Sequence, residues 1–352
     1  MRLAVLGAGA IGPAAAVLAV SRGHEAALWS PSGAGTAGCD GRMTAEGALE
    51  GVFALRIATD LADALAGADA ALLVVPAYAY PALLPAIARE LRVPLLIAPC
   101  ASLAPLALDA AMAGAAHRPA IGAMATTPVM GRRLAPDRVR VAGIRKAVDL
   151  AAVPTAAAPD LAALATALFG HASPIVPNAL QAALGNANPI IHAVMALTNV
   201  TRMENAEPWP QYAMMTPAAC RLMVAMAEER DRLAQAFGLT VLSLEESLHR
   251  SNGVALGPMH EMAAVIAQSR GSVLGPATMD TRYVTEDVPY GLAFYLWLGA
   301  TRGLRLPVTD AVVTALEVLW GQPLRDNPLL SGLDPAGLDA ALQHGIGRQP
   351  SV

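Results

Sequence analysis

The first half of the chain alternates short apolar runs with helix-forming stretches. Apolar runs at residues 2–6 and 24–30 flank a helix-forming stretch at residues 14–21, with a glycine turn between the first run and that stretch. This order predicts a parallel β–α–β unit with a right-handed crossover. Continuous apolar strands are typical of an α/β, doubly wound parallel sheet with helices on both faces. The same alternation predicts strands at 70–75, 94–98, 120–126 and 138–142, and helices at 60–66, 80–91 and 103–114.

The second half lacks strand-like runs. From Leu180 onward, apolar residues recur at the spacing of a helix. Thr216 followed by Pro217 predicts a helix start, because threonine caps a helix N-terminus and proline fits its first turn. Gly238 predicts the end of that helix. Further helices are predicted at 290–301 and 309–320, and the charged run 228–232 is expected to face solvent.

Length and composition favour two globular domains. A chain of 352 residues suits two domains of roughly 150 residues each, and a hydrophobic fraction of 55% supplies a sizeable core. We predict an α/β domain over residues 1–178 and an all-α domain over residues 179–352, with residues 151–159 as a connector. A net charge of −4 excludes nucleic acid as a primary partner, because the chain has no basic field.

The three cysteines, Cys39, Cys100 and Cys220, lie far apart in the sequence. An odd, widely spaced set predicts neither a disulfide framework nor a thiolate metal site, and favours the reducing cytoplasm. The uncharged run at residues 70–88 contains three prolines, which break helix hydrogen bonds, so we do not expect a membrane span. His249, His260 and Glu261 lack tight ligand spacing, and no metal ion is expected.

The glycine turn is the clearest candidate for ligand binding. Gly7, Gly9 and Gly12 form a Gly-x-Gly-x-x-Gly pattern between a predicted strand and a predicted helix. In a Rossmann-type domain these glycines permit a tight turn, close approach of a pyrophosphate, and close packing of helix on strand. The helix N-terminus offers N–H groups to the phosphates. We predict NAD(P) binding that includes Ala10 and Ile11; a tight turn without a ligand is the alternative.

The end of the second strand favours NADP(H) over NAD(H). An Asp or Glu at this place would bind the ribose 2′-hydroxyl of NAD, but the chain has Ser30 and Ser32 there. No carboxylate repels a 2′-phosphate, and both hydroxyls are able to donate to one. No arginine is adjacent, although Arg42 follows on the next loop.

A histidine and a distant acidic segment are candidates for proton chemistry. His192 lies one turn into a predicted helix, and Asp287 lies in a segment rich in charged and aromatic residues. A carboxylate on one ring nitrogen fixes the tautomer of an imidazole that exchanges protons through the other. Spacing alone does not show that the two residues meet, and a lone histidine on an apolar helix is more often a core residue.

These segments resemble the octopine/nopaline (opine) dehydrogenase family. The most specific likeness is Thr281-Arg-Tyr-x-x-Glu-Asp287 followed by Gly291, and the resemblance covers nearly the whole chain. Within the family, the pattern is closest to bacterial N-(1-carboxyethyl)-norvaline-type dehydrogenases. The chain departs from the family pattern at Pro13, Cys100 and Ala193, which bears on the substrate more than on the reaction.

The resemblance implies NAD(P)H-dependent reductive condensation of an amino acid or amine with a 2-oxo acid, giving a secondary amine. It assigns catalysis to His192 and Asp287. We also predict a homodimer, located in the cytoplasm that the cysteine usage favours. Arg282 is the first candidate for binding a substrate carboxylate, with a structural ion pair to Glu286 or Asp280 as the alternative. The remaining implied contacts are Val75 and Pro76 for the cofactor, and Arg202, Tyr283, Asn188 and Thr127 for the substrate.

Two other functions remain open. A ketopantoate-reductase or 6-phosphogluconate-dehydrogenase type of enzyme shares the same two-domain plan but commonly uses a catalytic lysine on a helix. The single lysine here, Lys146, lies among the last predicted strands of the N-terminal domain, which argues against that mechanism. A non-catalytic NAD(P) sensor is the second alternative, and it would need no proton shuttle.

Overall fold

The protein was analysed as a computed structural model that describes residues 1–270 and 273–348. It consists of two compact units. The first comprises Met1–Ala183 together with the chain from Leu329 onward, and the second comprises Leu184–Pro328. The prediction placed all of residues 179–352 in the helical domain, whereas the structure assigns the chain after Pro328 to the first unit.

Ion pairing explains why the C-terminal segment packs with the first unit. Asp109 is fully buried, and its carboxylate accepts hydrogen bonds from the Arg348 Nη2 at 2.7 Å and from the Ile346 backbone N–H at 2.7 Å. Arg118 also pairs with Asp109 at 2.6 Å. Because a buried carboxylate is costly without partners, these contacts tie the C-terminal segment to the α/β unit.

Eleven strands and fifteen α-helices make up the described chain. The strands are β1 Arg2–Leu6, β2 Glu25–Trp29, β3 Arg42–Gly47, β4 Gly51–Ala54, β5 Arg56–Ile57, β6 Ala70–Leu73, β7 Leu95–Ile97, β8 Ile121–Met124, β9 Val129–Ala135, β10 Arg138–Ile144 and β11 Leu150–Val153. The helices are α1 Gly12–Ser21, α2 Leu61–Leu65, α3 Tyr80–Glu90, α4 Ala104–Ala111, α5 Ala158–Phe169, α6 Ala179–Leu184, α7 Asn188–Thr198, α8 Val200–Glu204, α9 Pro217–Ala236, α10 Leu244–Asn252, α11 Met259–Arg270, α12 Arg282–Thr285, α13 Ala293–Thr301, α14 Pro307–Trp320 and α15 Leu338–His344.

The main sheet of the first unit has the strand order β11-β8-β7-β6-β1-β2-β5. Its strands are parallel except β11, which pairs antiparallel with β8. In β1, Leu3 lies beside Ala26 of β2 on one side and Ala70 of β6 on the other. The strand order therefore reverses at β1, and ligands of open α/β sheets bind at the carboxyl ends of the strands that flank such a point.

A second sheet, with the order β4-β3-β10-β9, was not predicted. The predicted strand at 138–142 forms part of it as β10, rather than of the main sheet. Its strands alternate buried and exposed residues, as expected for a sheet with one covered face. A Cβ at Gly131 of β9 would lie 2.6 Å from the Ala14 Cβ, so this sheet packs closely against α1.

The interpretation of residues 151–159 as a connector is wrong. Leu150–Val153 is a buried strand, and Val153 pairs with Ile121 of β8. Helix α5 then begins at Ala158, with Pro159 in its first turn, where a missing N–H removes no helix hydrogen bond. The alanines and prolines that suggested a linker therefore serve as a core strand and a helix start.

The second unit is helical, as predicted. Helix α9 begins after Thr216, whose hydroxyl accepts a hydrogen bond from the Ala219 N–H at 3.4 Å. The expectation that residues 228–232 face solvent is wrong in part, because Glu229 and Arg230 are buried. The Glu229 carboxylate accepts hydrogen bonds from two N–H groups at the start of α14, at 2.8 and 2.9 Å. No helix in the described ranges is long and apolar enough to cross a membrane.

Candidate active site

The glycine turn after β1 has the geometry of a phosphate-binding loop. Gly7 has a φ of +131°, and a Cβ there would lie 2.4 Å from the Val74 carbonyl oxygen. A Cβ at Gly12 would lie 1.7 Å from the Gly7 carbonyl oxygen, so neither position accepts a side chain. A Cβ at Gly9, in contrast, would meet nothing within 4 Å. The turn is thus tightly packed at Gly7 and Gly12 and has open space beside Gly9. That open space fits a pyrophosphate.

The neighbouring groups agree with this fit. Helix α1 begins at Gly12 without a side-chain cap, so N–H groups of its first turn are left for a ligand. Ala10 and Ile11 connect the turn to this helix. Val75 follows β6 and lies against the Gly7 position, and Pro76 precedes the short helical turn Ala77–Ala79.

The loop after β2 is ordered by hydrogen bonds that include Ser30. Its hydroxyl is buried and accepts a hydrogen bond from the Gly35 N–H at 3.0 Å, whereas Ser32 is exposed. Arg133 of β9 donates to the Ala8 carbonyl at 2.7 Å and also to the Gly35 carbonyl. Arg133 therefore joins the glycine turn to the loop after β2. Sequence reasoning missed this residue, because Ala8 and Gly35 lie 125 and 98 positions away from it in the sequence.

His192 and Asp287 meet in the second unit. The His192 Nδ1 lies 2.7 Å from the Asp287 Oδ2, and the two residues are only 8% and 7% exposed. An ionised carboxylate only accepts hydrogen bonds, so Nδ1 donates and carries the proton. Within the described residues of the second unit, no protein group hydrogen-bonds to Nε2. That nitrogen is left with a lone pair to exchange protons with a reactant.

The backbone that carries this pair is shaped by a close contact. His192 lies in α7, one turn after Pro189, and Asp287 immediately precedes a π-helical turn at Val288–Leu292. A Cβ at Gly291 would lie 2.4 Å from the Pro189 Cβ, so only glycine lets the two segments approach this closely. Isolated π turns are frequent at functional sites because they redirect side chains.

Tyr283 covers one face of the imidazole. The two ring centroids are 3.7 Å apart and the planes differ by 5°. The Tyr283 hydroxyl donates a hydrogen bond of 2.7 Å to the Gln211 Oε1. Burial raises the pKa of Tyr283 above its usual range, so the hydroxyl stays protonated and remains a donor at neutral pH. Gln211, which the sequence analysis did not single out, therefore holds the tyrosine that contacts the histidine.

Comparison with known proteins agrees with this geometry. A family model described as the α-helical domain of NAD/NADP octopine/nopaline dehydrogenase matches residues 175–319. A second model, described as the N-terminus of NAD-dependent glycerol-3-phosphate dehydrogenase, matches residues 2–100. An opine dehydrogenase of Arthrobacter sp. (strain 1C) is 31% identical over 218 residues, which span 59% of this chain and 59% of that protein. Protein ocs of Agrobacterium vitis is 26% identical over 361 residues, spanning 96% of this chain and 97% of its own length.

Residues 175–319 match the α-helical domain of octopine/nopaline dehydrogenases, and the chain is similar to opine dehydrogenases in sequence. These comparisons support the predicted family, and the predicted fold class is confirmed. Two solved structures share the fold. Octopine dehydrogenase in complex with NADH and agmatine has a TM-score of 0.77 and 17% identity, covering 100% of this chain and 99% of its own. NADP+-bound yersinopine dehydrogenase has a TM-score of 0.71 and 18% identity, covering 97% of both chains.

The other predicted substrate residues lie in both units. Arg282 is half exposed, and its Nε lies 3.8 Å from the Glu286 Oε2, which is the ion pair named as the alternative. Asn188 is the first residue of α7, and Arg202 lies in α8. Thr127 belongs to the first unit, where its hydroxyl donates to the Val129 carbonyl at 2.8 Å.

Cys100, one of the departures from the family pattern, is unsuited to nucleophilic chemistry. Burial raises the pKa of its thiol to about 12, so the thiolate is scarce at neutral pH. Among the residues that the structure describes, no group of three His, Cys, Asp or Glu side chains is placed to hold a metal ion.

The glycine turn allows a test with matched substitutions. Gly12→Ala is expected to lower the free energy of unfolding by about 1–3 kcal/mol, because its Cβ would overlap the Gly7 carbonyl. Gly9→Ala is expected to leave thermal unfolding unchanged while weakening dinucleotide binding, since its Cβ meets open space. Melting curves and cofactor fluorescence titrations measure both effects. Equal binding of NADPH by wild type and Gly9→Ala would contradict the assignment of the turn.

Proposed function

We propose that this chain is an opine dehydrogenase that joins an amino acid or amine to a 2-oxo acid, using NAD(P)H. The hydrogen bond between His192 and Asp287 is the observation that carries the proposal. The enzyme class, an NAD(P)-dependent oxidoreductase acting on CH–NH bonds, is that of the family. Related octopine dehydrogenase structures contain NADH with agmatine, L-arginine or pyruvate, which supports amine and 2-oxo acid substrates.

The reaction condenses a protonated amine with a 2-oxo acid and consumes NAD(P)H and one proton. It releases water and NAD(P)+ and leaves a secondary amine in its protonated form. The amine nitrogen first adds to the ketone carbon, and the resulting carbinolamine loses water to form an imine. When bound, the nicotinamide supplies a hydride to the imine carbon.

His192 handles the protons of the condensation. With Nδ1 held by Asp287, its Nε2 takes a proton from the attacking amine and returns one to the departing hydroxyl. The Asp287 carboxylate stabilises the imidazolium that forms between these steps and keeps the ring in one orientation. The low exposure of both residues limits competing water. The pair therefore suits dehydration chemistry.

Arg282 is proposed to bind the carboxylate of the oxo acid, with Arg202 as the second candidate. Its ion pair with Glu286 is long, at 3.8 Å, and its side chain is 54% exposed, so the guanidinium is able to turn to a ligand. Arg282→Ala is expected to raise the KM for the oxo acid about tenfold or more, with a smaller change in kcat. Arg305→Ala, an exposed arginine of the same unit, is the control. An unchanged KM in Arg282→Ala would move the role to Arg202.

NADP(H) is proposed as the preferred cofactor. The loop after β2 has no acidic side chain at residues 30–36, and the exposed Ser32 hydroxyl is available to a 2′-phosphate. The kcat/KM for NADPH should exceed that for NADH, and the reverse order would overturn this preference. The contacts of Asn188 and Thr127 with substrate, the homodimer and the cytoplasmic location remain predictions.

A two-substrate screen tests the proposed reaction. Oxidation of NADPH and NADH is followed at 340 nm with pyruvate or glyoxylate crossed with the twenty amino acids and agmatine. The proposal predicts oxidation only when an oxo acid and an amine are both present. Turnover with the oxo acid alone would identify a hydroxy-acid dehydrogenase instead. Cofactor binding without turnover in any combination would favour the sensor.

A further inference from the structure

We infer that Tyr283 and Gln211 are positioning residues, a pair that holds the His192 imidazole flat for proton transfer. The inference rests on the proposed function, in which His192 is the acid and base. It differs from the expectation that Tyr283 contacts the substrate.

The short segment after Thr281 holds the imidazole from two directions. Tyr283 and Asp287 are four residues apart, with Tyr283 in α12 and Asp287 shortly after its end. Asp287 binds the Nδ1 edge of the ring at 2.7 Å, and Tyr283 lies parallel to its face at 3.7 Å. The edge contact alone leaves the ring free to rock about the Nδ1–carboxylate axis. The face contact removes that motion.

An aromatic face also favours the charged form of the histidine. The π face of tyrosine carries partial negative charge and attracts a cation that lies over it. His192 becomes an imidazolium each time it accepts a proton, so the stacked ring stabilises that state together with Asp287. A leucine at position 283 would still shield the imidazole from water, but it would supply neither a flat ring parallel to the imidazole nor such an attraction.

Gln211 in turn holds the tyrosine, and residues 209–211 are themselves tied to the segment at residues 273–276 by hydrogen bonds. The Gln211 side-chain oxygen accepts the Tyr283 hydroxyl at 2.7 Å, and its backbone N–H donates to the Val273 carbonyl at 2.8 Å. Two residues earlier, Trp209 is fully buried and donates from its Nε1 to the Pro276 carbonyl at 2.8 Å. A Cβ at Gly275 would lie 2.2 Å from the Trp209 ring, so the backbone at Gly275 is in close contact with the indole.

Kinetic measurements on Tyr283 variants distinguish a positioning role from a role in substrate binding. If Tyr283 only lined the substrate pocket, its loss would mainly raise the KM for a substrate. If it positions His192, its loss lowers kcat and leaves each KM within about twofold, because small misplacements of a catalytic group are costly. Tyr283→Leu is therefore expected to lower kcat by about 10- to 100-fold. Tyr283→Phe keeps the stacked ring and is expected to recover kcat to within about fivefold of wild type.

The stacking has a spectroscopic signature that does not require turnover. Protons over an aromatic face are shielded, so the His192 ring protons should resonate upfield of the other histidines. The chain has seven histidines, and a His192→Gln spectrum assigns the signal. The upfield shift should disappear in Tyr283→Leu. It should persist but become smaller or broader in both Tyr283→Phe and Gln211→Met, because each variant keeps the stacked ring and removes the hydrogen bond that holds it.

The full chain with its cofactor is used for both measurements, and melting temperatures show whether each variant is folded. A kcat within twofold of wild type in Tyr283→Leu would overturn the inference, as would identical His192 ring-proton shifts in Tyr283→Phe and Tyr283→Leu. If Tyr283→Leu does not fold, a His192 signal that is unchanged from wild type in both Gln211→Met and Tyr283→Phe would overturn the inference. Absence of activity in wild type would count against the proposed function, while the shifts still test the stacked ring.

Discussion

His192→Gln is expected to lower kcat by about 10²- to 10⁴-fold, because glutamine removes the group that exchanges protons at Nε2. Glutamine is polar and of similar length, so the melting temperature and the affinity for NADPH should change little. Steady-state rates with the best pair from the substrate screen measure the effect. His260→Gln is the control, since that histidine has a 38% exposed side chain and no contact with Asp287. Retained activity in His192→Gln would show that His192 is not the group that exchanges protons with the substrate.

Asp287→Asn has the second largest expected effect, a loss of about 10²- to 10⁴-fold in kcat. The amide keeps the size of the side chain but carries no charge, and its NH2 group is able to donate to Nδ1. That hydrogen bond favours the tautomer that carries its proton on Nε2. In this tautomer Nε2 has no free lone pair, so it cannot accept a proton from the substrate. It also leaves a buried imidazolium without its counter-ion, at exposures of 8% and 7%.

The double variant shows whether the two residues act as one unit. Losses from groups that work together are far from additive. The combined His192→Gln and Asp287→Asn variant should therefore be about as slow as His192→Gln alone. A loss close to the product of the two single losses would show that Asp287 acts independently of His192. Asp280→Asn, an exposed carboxylate near the same segment, controls for a general change of charge.

Much of the first unit could be predicted because its signals are local. The Gly7–Gly12 turn is recognisable from the spacing of its glycines between a predicted strand and a predicted helix. Continuous apolar runs indicate the buried parallel strands. The second sheet was missed because its strands are half buried and two of them, β9 and β10, are rich in arginine. Residues 150–153 were misread because an alanine-rich strand beside prolines resembles a linker when its antiparallel partner, β8, is unknown.

The sequence predicted the candidate catalytic residues of the site, but not the residues that hold them and the glycine turn in place. His192 and Asp287 were found through the family pattern of their segments, since 95 positions separate them and periodicity does not pair them. Arg133 and Gln211 have no such pattern. Their importance depends on a carbonyl or a hydroxyl contributed by a distant segment, and these contacts exist only after folding. The same holds for the burial of Glu229, whose partners belong to the start of α14.

The fate of the transferred hydrogen distinguishes reduction of an imine from reduction of a free 2-oxo acid. NADPH deuterated at the transferred position of C4 is incubated with the enzyme, an oxo acid and an amine, and the products are analysed by mass spectrometry. We expect a secondary amine with one deuterium on the carbon that was the ketone carbon, and we expect this product to be lost in His192→Gln. Deuterium in a 2-hydroxy acid, with no secondary amine formed, would contradict it.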